Sequence, residues 1–282
     1  EAVSRSSAGT LLAVRNDDSS RTLWSNAGGS IEPIIGNEAS GVAAVPQIGD
    51  CYVAVGNVNR FDLTSGPVLL DSGAFVFTAI LLDFAGRSSC EDGEAVLRYE
   101  SGSIETVVRQ NDPVPNAPGW RFGRVLLGEV LPNGDAVIRA RLDNRTVIDE
   151  RWSLWLFPLD GPPRLMAVDE EEVELVSGVD RFSGVDSFRF DVAGADQVVV
   201  RAPFGDGPRL IALLGGVPPR GQPRSALEAP GASALDLLVS SESAVPPPFD
   251  DASFFGAIDL QAVDREGNVT FYGSVSDASL DE

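Results

Sequence analysis

The chain has 282 residues and 43% hydrophobic side chains, which is enough for a packed core and excludes wholesale disorder. Its 42 acidic residues outnumber 21 basic ones, giving a net charge of −21, and every basic residue is an arginine. A negative field of this size disfavours phosphate backbones and anionic lipid surfaces. No apolar run reaches the roughly 20 residues that span a bilayer. The composition therefore disfavours nucleic-acid and membrane binding. It suits solubility, cation binding or docking to a basic partner, and an acidic solvated surface is the simplest interpretation.

The N-terminal segment predicts three short strands. They are SAGTLLAVRND at 7–17, RTLWSNAGG at 21–29 and SIEPIIG at 30–36. Each alternates apolar and polar residues over part of its length and is bounded by turn residues, which is typical of β-strands. The chain begins at Glu1 with no basic segment, and we expect that an export signal has been removed.

A strand that follows a glycine turn recurs along the chain, and we call it the turn strand. Its clearest copy is LPNGDAVIRARL at 131–142, where Asn133-Gly134-Asp135 precedes an alternating run. Further copies lie at 69–82, 193–203 and 263–275, and 7–17 is a fifth candidate. The first four align on a small residue about 60 to 70 positions apart: Ala79, Ala140, Ala202 and Gly273. Spacing at this period indicates a repeat protein.

Three other strands recur in the same order after the turn strand in most of the repeats. A second strand follows the turn strand at 21–29, 94–102, 152–161 and 207–216. A third strand follows at 30–36, 103–110 and 162–169, and a fourth at 59–70, 121–131, 180–192 and 253–263. Four short strands per unit are typical of a propeller blade. One such sheet cannot bury both faces alone, so neighbouring sheets would stack and cover each other.

The sequence therefore predicts an all-β fold, a single β-propeller domain over residues 1–282. The predicted units are 18–83, 84–143, 144–203 and 204–275, and strand 7–17 would close the ring. Four blades are predicted, with five blades, an open repeat array or a β-sandwich as alternatives. The last unit is longer, which predicts an insertion, and its segment 225–241 is the best helix candidate.

The turn strand resembles the repeat of bacterial surface proteins that carry an Asn-x-x-Gly-x-x-Ala-Phe signature. DREGNVTF at 264–271 matches the spacing with Asp264 in place of asparagine, and LLDSGAFVF keeps Gly73 and Phe77. LWSN, LWLF and VVRQNDPVPNAPG are similar to the accompanying elements. The resemblance covers most of residues 7–275 and implies a propeller-like fold and an exported, often surface-attached protein. It implies no defined activity, and its motif residues are structural.

The residue types limit the available chemistry. The chain has no histidine and no lysine, which excludes Ser-His-Asp and Cys-His arrangements and lysine Schiff bases. Paired carboxylates could still cleave glycosidic bonds when they lie about 5–9.5 Å apart. Candidates in loops of different units are Asp83, Asp112, Asp143 and Asp206. We assign no catalytic residue, since solvated turn residues are the simpler interpretation.

Three other features are candidate sites. Asp264, Glu266 and Asn268 offer oxygen ligands to Ca²⁺, although backbone capping of a turn explains them as well. Trp120 and Arg121 lie in a Pro-rich loop and are candidate contact residues, with carbohydrate as one ligand class. Trp24 and Trp155 share a repeat position, which favours packing.

The two cysteines, Cys51 and Cys90, would pair in an exported protein, with two buried thiols as the alternative. The sequence as a whole predicts a non-enzymatic exported module that is periplasmic, cell-surface or extracellular. We expect it to bind other protein subunits as an accessory part of a cell-surface or membrane-associated assembly, without a cofactor. The alternatives are a carboxylate-based glycoside hydrolase or lyase and a Ca²⁺-stabilised adhesin.

Overall fold

The structure is a computed structural model. It describes residues 2–15, 21–26, 29–36, 47–48, 51–55, 66–83, 93–144, 147–169, 172–175, 178–181, 189–192, 198–203, 209–214, 236–239, 253–263 and 268–277. These residues form twenty-two β-strands and no helix. The prediction of an all-β protein is confirmed for this part of the chain.

The N-terminal sheet has four antiparallel strands in chain order. They are β1 (Ala2–Ser6), β2 (Gly9–Arg15), β3 (Arg21–Ser25) and β4 (Glu32–Ile35). The predicted strand 7–17 corresponds to β2, which pairs with β1 on one side and β3 on the other. Both of its edges are therefore occupied by local strands, and β2 does not hydrogen-bond to the C-terminal strand. The sequence analysis missed β1, whose short AVSRS pattern is weak.

The second sheet is centred on the turn strand of LLDSGAFVFTAILL. The strands are β5 (Gln47–Ile48), β6 (Cys51–Val55), β7 (Val68–Leu69), β8 (Phe75–Asp83), β9 (Gly93–Glu100) and β10 (Ser103–Arg109). Their order in the sheet is β10-β9-β8-β6-β5, and β7 pairs with the same edge of β8 as β6 does.

The third sheet is again four antiparallel strands in chain order. They are β11 (Arg121–Val130), β12 (Ala136–Asn144), β13 (Val147–Phe157) and β14 (Arg164–Val168). The stretch LPNGDAVIRARL supplies the turn into β12 and most of that strand. Because β12 pairs with both β11 and β13, it is an interior strand.

The glycine turns before β8 and β12 have the same hydrogen bonds, which supports a structural repeat. Gly134 donates to the Leu131 carbonyl at 2.8 Å, and Leu131 donates to the Asp135 carbonyl at 2.9 Å. In the other copy, Gly73 donates to Leu70 at 3.0 Å and Leu70 to Ala74 at 2.8 Å. Gly134 has φ +91° and Gly73 has φ +86°, a backbone region that glycine adopts most readily.

The C-terminal part contains two hairpins and a further four-stranded sheet. The strands are β15 (Glu172–Leu175), β16 (Gly178–Arg181), β17 (Arg189–Val192), β18 (Val198–Pro203), β19 (Arg209–Leu214), β20 (Asp236–Val239), β21 (Ser253–Val263) and β22 (Val269–Asp277). Strands β17–β20 pair in order, whereas β15–β16 and β21–β22 are two-stranded. The helix prediction for 225–241 is wrong at 236–239, because β20 pairs there with β19; the rest of that segment lies outside the described residues.

In each four-stranded sheet, a strand in the fourth position of the predicted repeat comes first in the chain. The turn strand, second strand and third strand then follow it. All five copies of the turn strand form strands, namely β2, β8, β12, β18 and β22, and each belongs to a different sheet. The described residues thus include three four-stranded antiparallel sheets, as expected for blades. Closure of the sheets into a ring stays a prediction.

Neighbouring sheets bury each other's faces, as the repeat predicts. Strand β8 shows this best, because its alternating side chains enter two different cores. The core shared with the first sheet contains Leu11, Ala13, Leu23, Ile35, Leu69, Phe75, Phe77, Ala79, Leu81, Ala95 and Leu97. On the opposite face, Val76 packs with Ile138 and Trp155 of the third sheet. Thr78 on that face accepts a hydrogen bond from the Leu127 amide at 3.1 Å.

Candidate functional site

A half-buried charged cluster joins the second and third sheets at the end that lies away from the glycine turns. Arg124 of β11 donates through Nε to both carboxylate oxygens of Glu94 at 3.2 Å, and its Nη2 lies 3.1 Å from Glu94 Oε1. The Val125 amide also donates to Glu94 at 3.3 Å. The Arg124 guanidinium lies 5.9 Å from the Trp152 ring centroid. We name Glu94, Arg124 and Trp152 the inter-sheet cluster.

The inter-sheet cluster has a structural role, because its charged groups are engaged in contacts between strands. The Glu94 side chain is half-buried, and its carboxylate receives donors from two groups of β11. The Glu94 amide bonds to Gln110 Oε1 at 3.1 Å, which ties β9 to the segment after β10. A partly buried, forked arginine–carboxylate contact of this kind stabilises a packing geometry. It fixes the second sheet against the third.

Sequence reasoning missed this cluster, although a signal was present. Glu94 lies in the sequence EDGE at 91–94, where nothing distinguishes it from the neighbouring acids. Arg124 lies in RFGRVLLGEV, where a charged residue interrupts an otherwise apolar strand. A charge in such a strand indicates a paired partner, because an unpaired buried charge is costly.

The four carboxylates predicted as glycosidase candidates are only partly described. Asp112 accepts from the Arg109 amide at 2.8 Å and lies 3.8 Å from Arg109 Nε, so it closes its own turn. Asp83 ends β8 at the register position of Cys51. Asp206 lies outside the described residues.

Asp143 and Asp112 lie at the same end of the third sheet. Asp143 is opposite Arg121 at the start of β11, and the Asp112 carbonyl accepts from the Phe122 amide at 3.0 Å on the other side of that strand. One strand therefore separates the two aspartates, and strands are about 4.8 Å apart. Because Asp112 is engaged with Arg109, this pair is better explained by turn structure than by acid–base chemistry.

The predicted contact residues Trp120 and Arg121 have different environments. Trp120 is 9% exposed and packs in the core between the second and third sheets. The loop folds the indole inward, and contact of this ring with a ligand stays a prediction. Arg121 is exposed, and its Nη1 donates to the Asn111 carbonyl at 2.6 Å. That bond ties the Pro-rich loop to the start of β11.

The predicted Ca²⁺ ligands are not brought together in the described residues. Asn268 is exposed and precedes β22, whereas Asp264 and Glu266 lie outside the described residues. Within the described ranges, no group of three or more acidic, cysteine or histidine side chains could hold a metal ion. The Ca²⁺ site stays a prediction.

The predicted cysteine pair and tryptophan packing have separate outcomes. Cys51 begins β6, and Cys90 lies outside the described residues, so the disulfide stays a prediction. Trp155 is 1% exposed and meets Phe122 edge-on at a centroid distance of 5.4 Å. Trp24 occupies the corresponding strand of the first sheet, β3, and is half-buried. Packing explains Trp155 directly.

The acidic residues of the glycine turns hold sheets and strands together. Asp71 Oδ1 accepts from the Ser7 amide at 2.8 Å and from the Ser7 hydroxyl at 2.7 Å, which links the first two sheets. Asp135 is buried and accepts from the Leu159 amide at 2.9 Å, which links two hairpins of the third sheet. These carboxylates are used for structure.

The C-terminal hairpin exposes two large apolar side chains. Tyr272 is 68% exposed and Val275 is 40% exposed, and both lie on β22. β21 contacts β17, β18 and β19, so the hairpin is stacked on the four-stranded sheet β17–β20 through β21. Among the described strands, β22 pairs with β21 alone.

No protein-family model matches the chain, and no curated protein matches its sequence. The resemblance to the bacterial repeat family therefore rests on the residues quoted above. No helix in the described ranges has the length and hydropathy of a membrane span.

Proposed function

We propose that this protein is a non-enzymatic, exported binding or scaffold module with a propeller-like arrangement of stacked sheets. It would serve as an accessory subunit of a cell-surface or membrane-associated assembly and bind other protein subunits. The observation that carries the proposal is how the described carboxylates are used. Glu94, Asp71, Asp112 and Asp135 each accept hydrogen bonds that hold a turn, a strand or two sheets in place.

The arrangement of the sheets supports a propeller-like scaffold. Four contacts between sheets run in chain order through the strand that precedes a turn strand: β7 contacts β1 and β2, β11 contacts β8 and β9, β17 contacts β11, and β21 contacts β17. Contacts of this kind between successive sheets are expected when blades surround an axis. Five turn strands in five sheets favour the five-blade alternative over four blades.

The distribution of charge supports a protein partner. The net charge of −21 repels phosphate and anionic lipid, and it favours encounter with a basic protein surface. Strand β22 also exposes two apolar side chains, Tyr272 and Val275, which lie on opposite faces of the strand.

The proposal is tested by purifying the protein from its native source under mild conditions and identifying the chains that co-purify. We expect one or more partners in a fixed ratio to this chain, released as the salt concentration rises because surface electrostatics are screened. An intact, monodisperse monomer that co-purifies with no other chain under the same conditions contradicts the assembly. An irrelevant acidic protein of similar net charge, carried through the same purification, controls for non-specific adsorption of basic chains.

A further inference from the structure

The tight turn before β12 contains the only Asn-Gly dipeptide in the sequence, Asn133-Gly134. Asparagine deamidates most readily when glycine follows it, because glycine has no Cβ to hinder attack by its own amide nitrogen on the asparagine side chain. Asn133 is also exposed, so water can reach its side chain. This turn is therefore the position in the chain where deamidation meets the least steric resistance.

The reaction needs no reagent other than water. The Gly134 amide nitrogen gives up its proton to solvent base and attacks Cγ of Asn133. The bond between Cγ and Nδ2 breaks, the nitrogen leaves as ammonia, and a cyclic imide forms between the side chain and the backbone. Water then opens the ring at one carbonyl to give aspartate, or at the other to give isoaspartate, whose main chain runs through Cβ and Cγ.

The folded turn holds the atoms that the reaction must move. The attacking nitrogen, that of Gly134, donates to the Leu131 carbonyl at 2.8 Å. Asn133 Oδ1 accepts from the Asp135 amide at 3.0 Å, and Asn133 Nδ2, the leaving group, donates to Asp135 Oδ2 at 3.1 Å. All three hydrogen bonds oppose the attack, so the turn must open locally before the imide can form.

The acceptor that holds Asn133 is itself fixed by the third sheet. Asp135 is 7% exposed, and its second oxygen, Oδ1, accepts from the Leu159 amide at 2.9 Å. Leu159 lies just after β13, so the position of the Asp135 carboxylate depends on two hairpins of the sheet. Protection of Asn133 is therefore a property of the folded sheet and is absent from a short peptide of the same sequence.

The product of the reaction does not fit this turn. Aspartate at position 133 would put a carboxylate oxygen where Nδ2 lies, 3.1 Å from Asp135 Oδ2. Two carboxylates at this distance repel each other, and the donor to Asp135 is lost. Isoaspartate would also lengthen the main chain between Leu131 and Asp135, whose backbone hydrogen bond of 2.9 Å closes the hairpin.

The matching turn before β8 has the same backbone hydrogen bonds without the reactive dipeptide. Ser72 stands at the position of Asn133, and its Oγ accepts from the Ala74 amide at 3.3 Å, as Asn133 Oδ1 accepts from Asp135. A serine at this position supplies the acceptor that the turn uses and cannot deamidate. The repeat therefore provides a matched substitution for experiments, Asn133→Ser.

We propose that Asn133 is a site of spontaneous deamidation that the folded third sheet suppresses, and that its conversion to aspartate or isoaspartate loosens the turn between β11 and β12. The reaction is slow while this hairpin is closed and fast once it opens. Because the product cannot close the turn in the same way, the modified form accumulates as the protein ages. The inference concerns this turn and goes beyond the proposed function as a binding module.

The test incubates the full-length chain in mildly alkaline buffer, with and without urea, and follows the peptide containing Asn133 by mass spectrometry. In urea we expect aspartate and isoaspartate at this position. In native buffer the conversion should be at least about ten-fold slower, because three hydrogen bonds oppose it. Asn111 and Asn116 are followed by aspartate and alanine and should convert far more slowly in urea. Equal rates at Asn133 with and without urea, or no conversion in urea, overturn the inference.

A pair of variants tests whether local opening of the turn controls the rate. Asp135→Ala removes the acceptor of Nδ2 and should raise the rate at Asn133 in native buffer at least about ten-fold, while the rate in urea stays the same. Leu11→Ala creates a cavity in the core between the first two sheets and should leave the native rate unchanged. If both variants raise the native rate equally, global unfolding controls the reaction and the local protection is wrong.

The effect on the turn is measured on the separated product. Ion exchange resolves the deamidated chain, which carries one more carboxylate, and its thermal midpoint should be at least about 2 °C below that of the unreacted chain. Asn133→Asp should lower the midpoint in the same way, whereas Asn133→Ser should stay closer to the parent and show no reaction at this position. A deamidated chain with the parent midpoint, or equal losses in Asn133→Ser and Asn133→Asp, contradicts the mismatch between product and turn.

Discussion

Strands β12 and β22 are copies of one repeat element in very different surroundings. β12 has neighbours on both edges, and Ile138 and Arg139 on its opposite faces are both almost completely buried. β22 has one described neighbour and exposes Tyr272, which corresponds to Arg139 in the repeat. The repeat therefore fixes the turn and the strand, whereas the neighbouring sheet decides whether a position is core or surface.

The largest difference between the two regions should be the cost of removing an aromatic ring. Trp155 pairs with Ile138 of β12, lies against Phe122 and donates from Nε1 to Ser153 at 2.8 Å. Trp155→Ala should lower the free energy of unfolding by about 3–5 kcal/mol, through lost burial and the cavity left behind.

Tyr272→Ala is the matched control and should cost about 0.5 kcal/mol or less, because an exposed side chain loses little. Urea unfolding monitored by circular dichroism measures both variants. Similar losses of unfolding free energy in the two variants would mean that the C-terminal hairpin is packed as well as the third sheet. That result would contradict the difference in burial between β12 and β22.

A smaller effect is expected for the polar side chain of the turn. Asp135 is buried and accepts from the Leu159 amide and from Asn133 Nδ2 at 3.1 Å. Asp135→Ala should cost about 2 kcal/mol, since it removes the charged acceptor of a part-buried hydrogen bond. At the corresponding position before β22, the exposed Asn268 should tolerate alanine with a loss of about 0.5 kcal/mol. Thermal midpoints of both variants check the difference, and a costlier Asn268→Ala would reverse it.

The smallest effect concerns the turn glycine. Gly134 has φ +91°, and a Cβ added there would lie 2.9 Å from Leu159 Cδ1 and 3.3 Å from Arg98 Nη1. Gly134→Ala should cost about 1–2 kcal/mol, from backbone strain and this crowding. Gly102 has φ +87° with no atom within 4 Å of an added Cβ, so Gly102→Ala measures the strain alone. If the two glycines cost the same, crowding by Leu159 contributes nothing.

Much of the fold could be predicted because its signals are local. The glycine turn, the alternation after it and the spacing near 60 residues depend on backbone preferences that a short segment carries by itself. The prediction was wrong where a signal was weak. β1 was missed, and residues 236–239 form a strand because β19 offers an edge to pair with, which local propensity does not reveal.

Less of the candidate site could be predicted. Trp120 is a candidate contact residue in the sequence, and the structure shows that the loop folds its ring into the core that the second and third sheets share. Glu94 is one of several acids in its segment, and its contact with Arg124 joins residues that lie thirty positions apart. Contacts of this kind depend on how two sheets stack, and the stacking is absent from any single strand.

The sequence by itself determined the strands, the turns and the repeat, because hydrophobic alternation and glycine at positive φ act over a few residues. It also determined the acidic character that favours a basic partner. Only the tertiary structure decided which face of each strand is core and which carboxylates hold sheets together. Those properties depend on the neighbours that each strand meets: β12 has a strand on either side, whereas β22 pairs with β21 among the described strands.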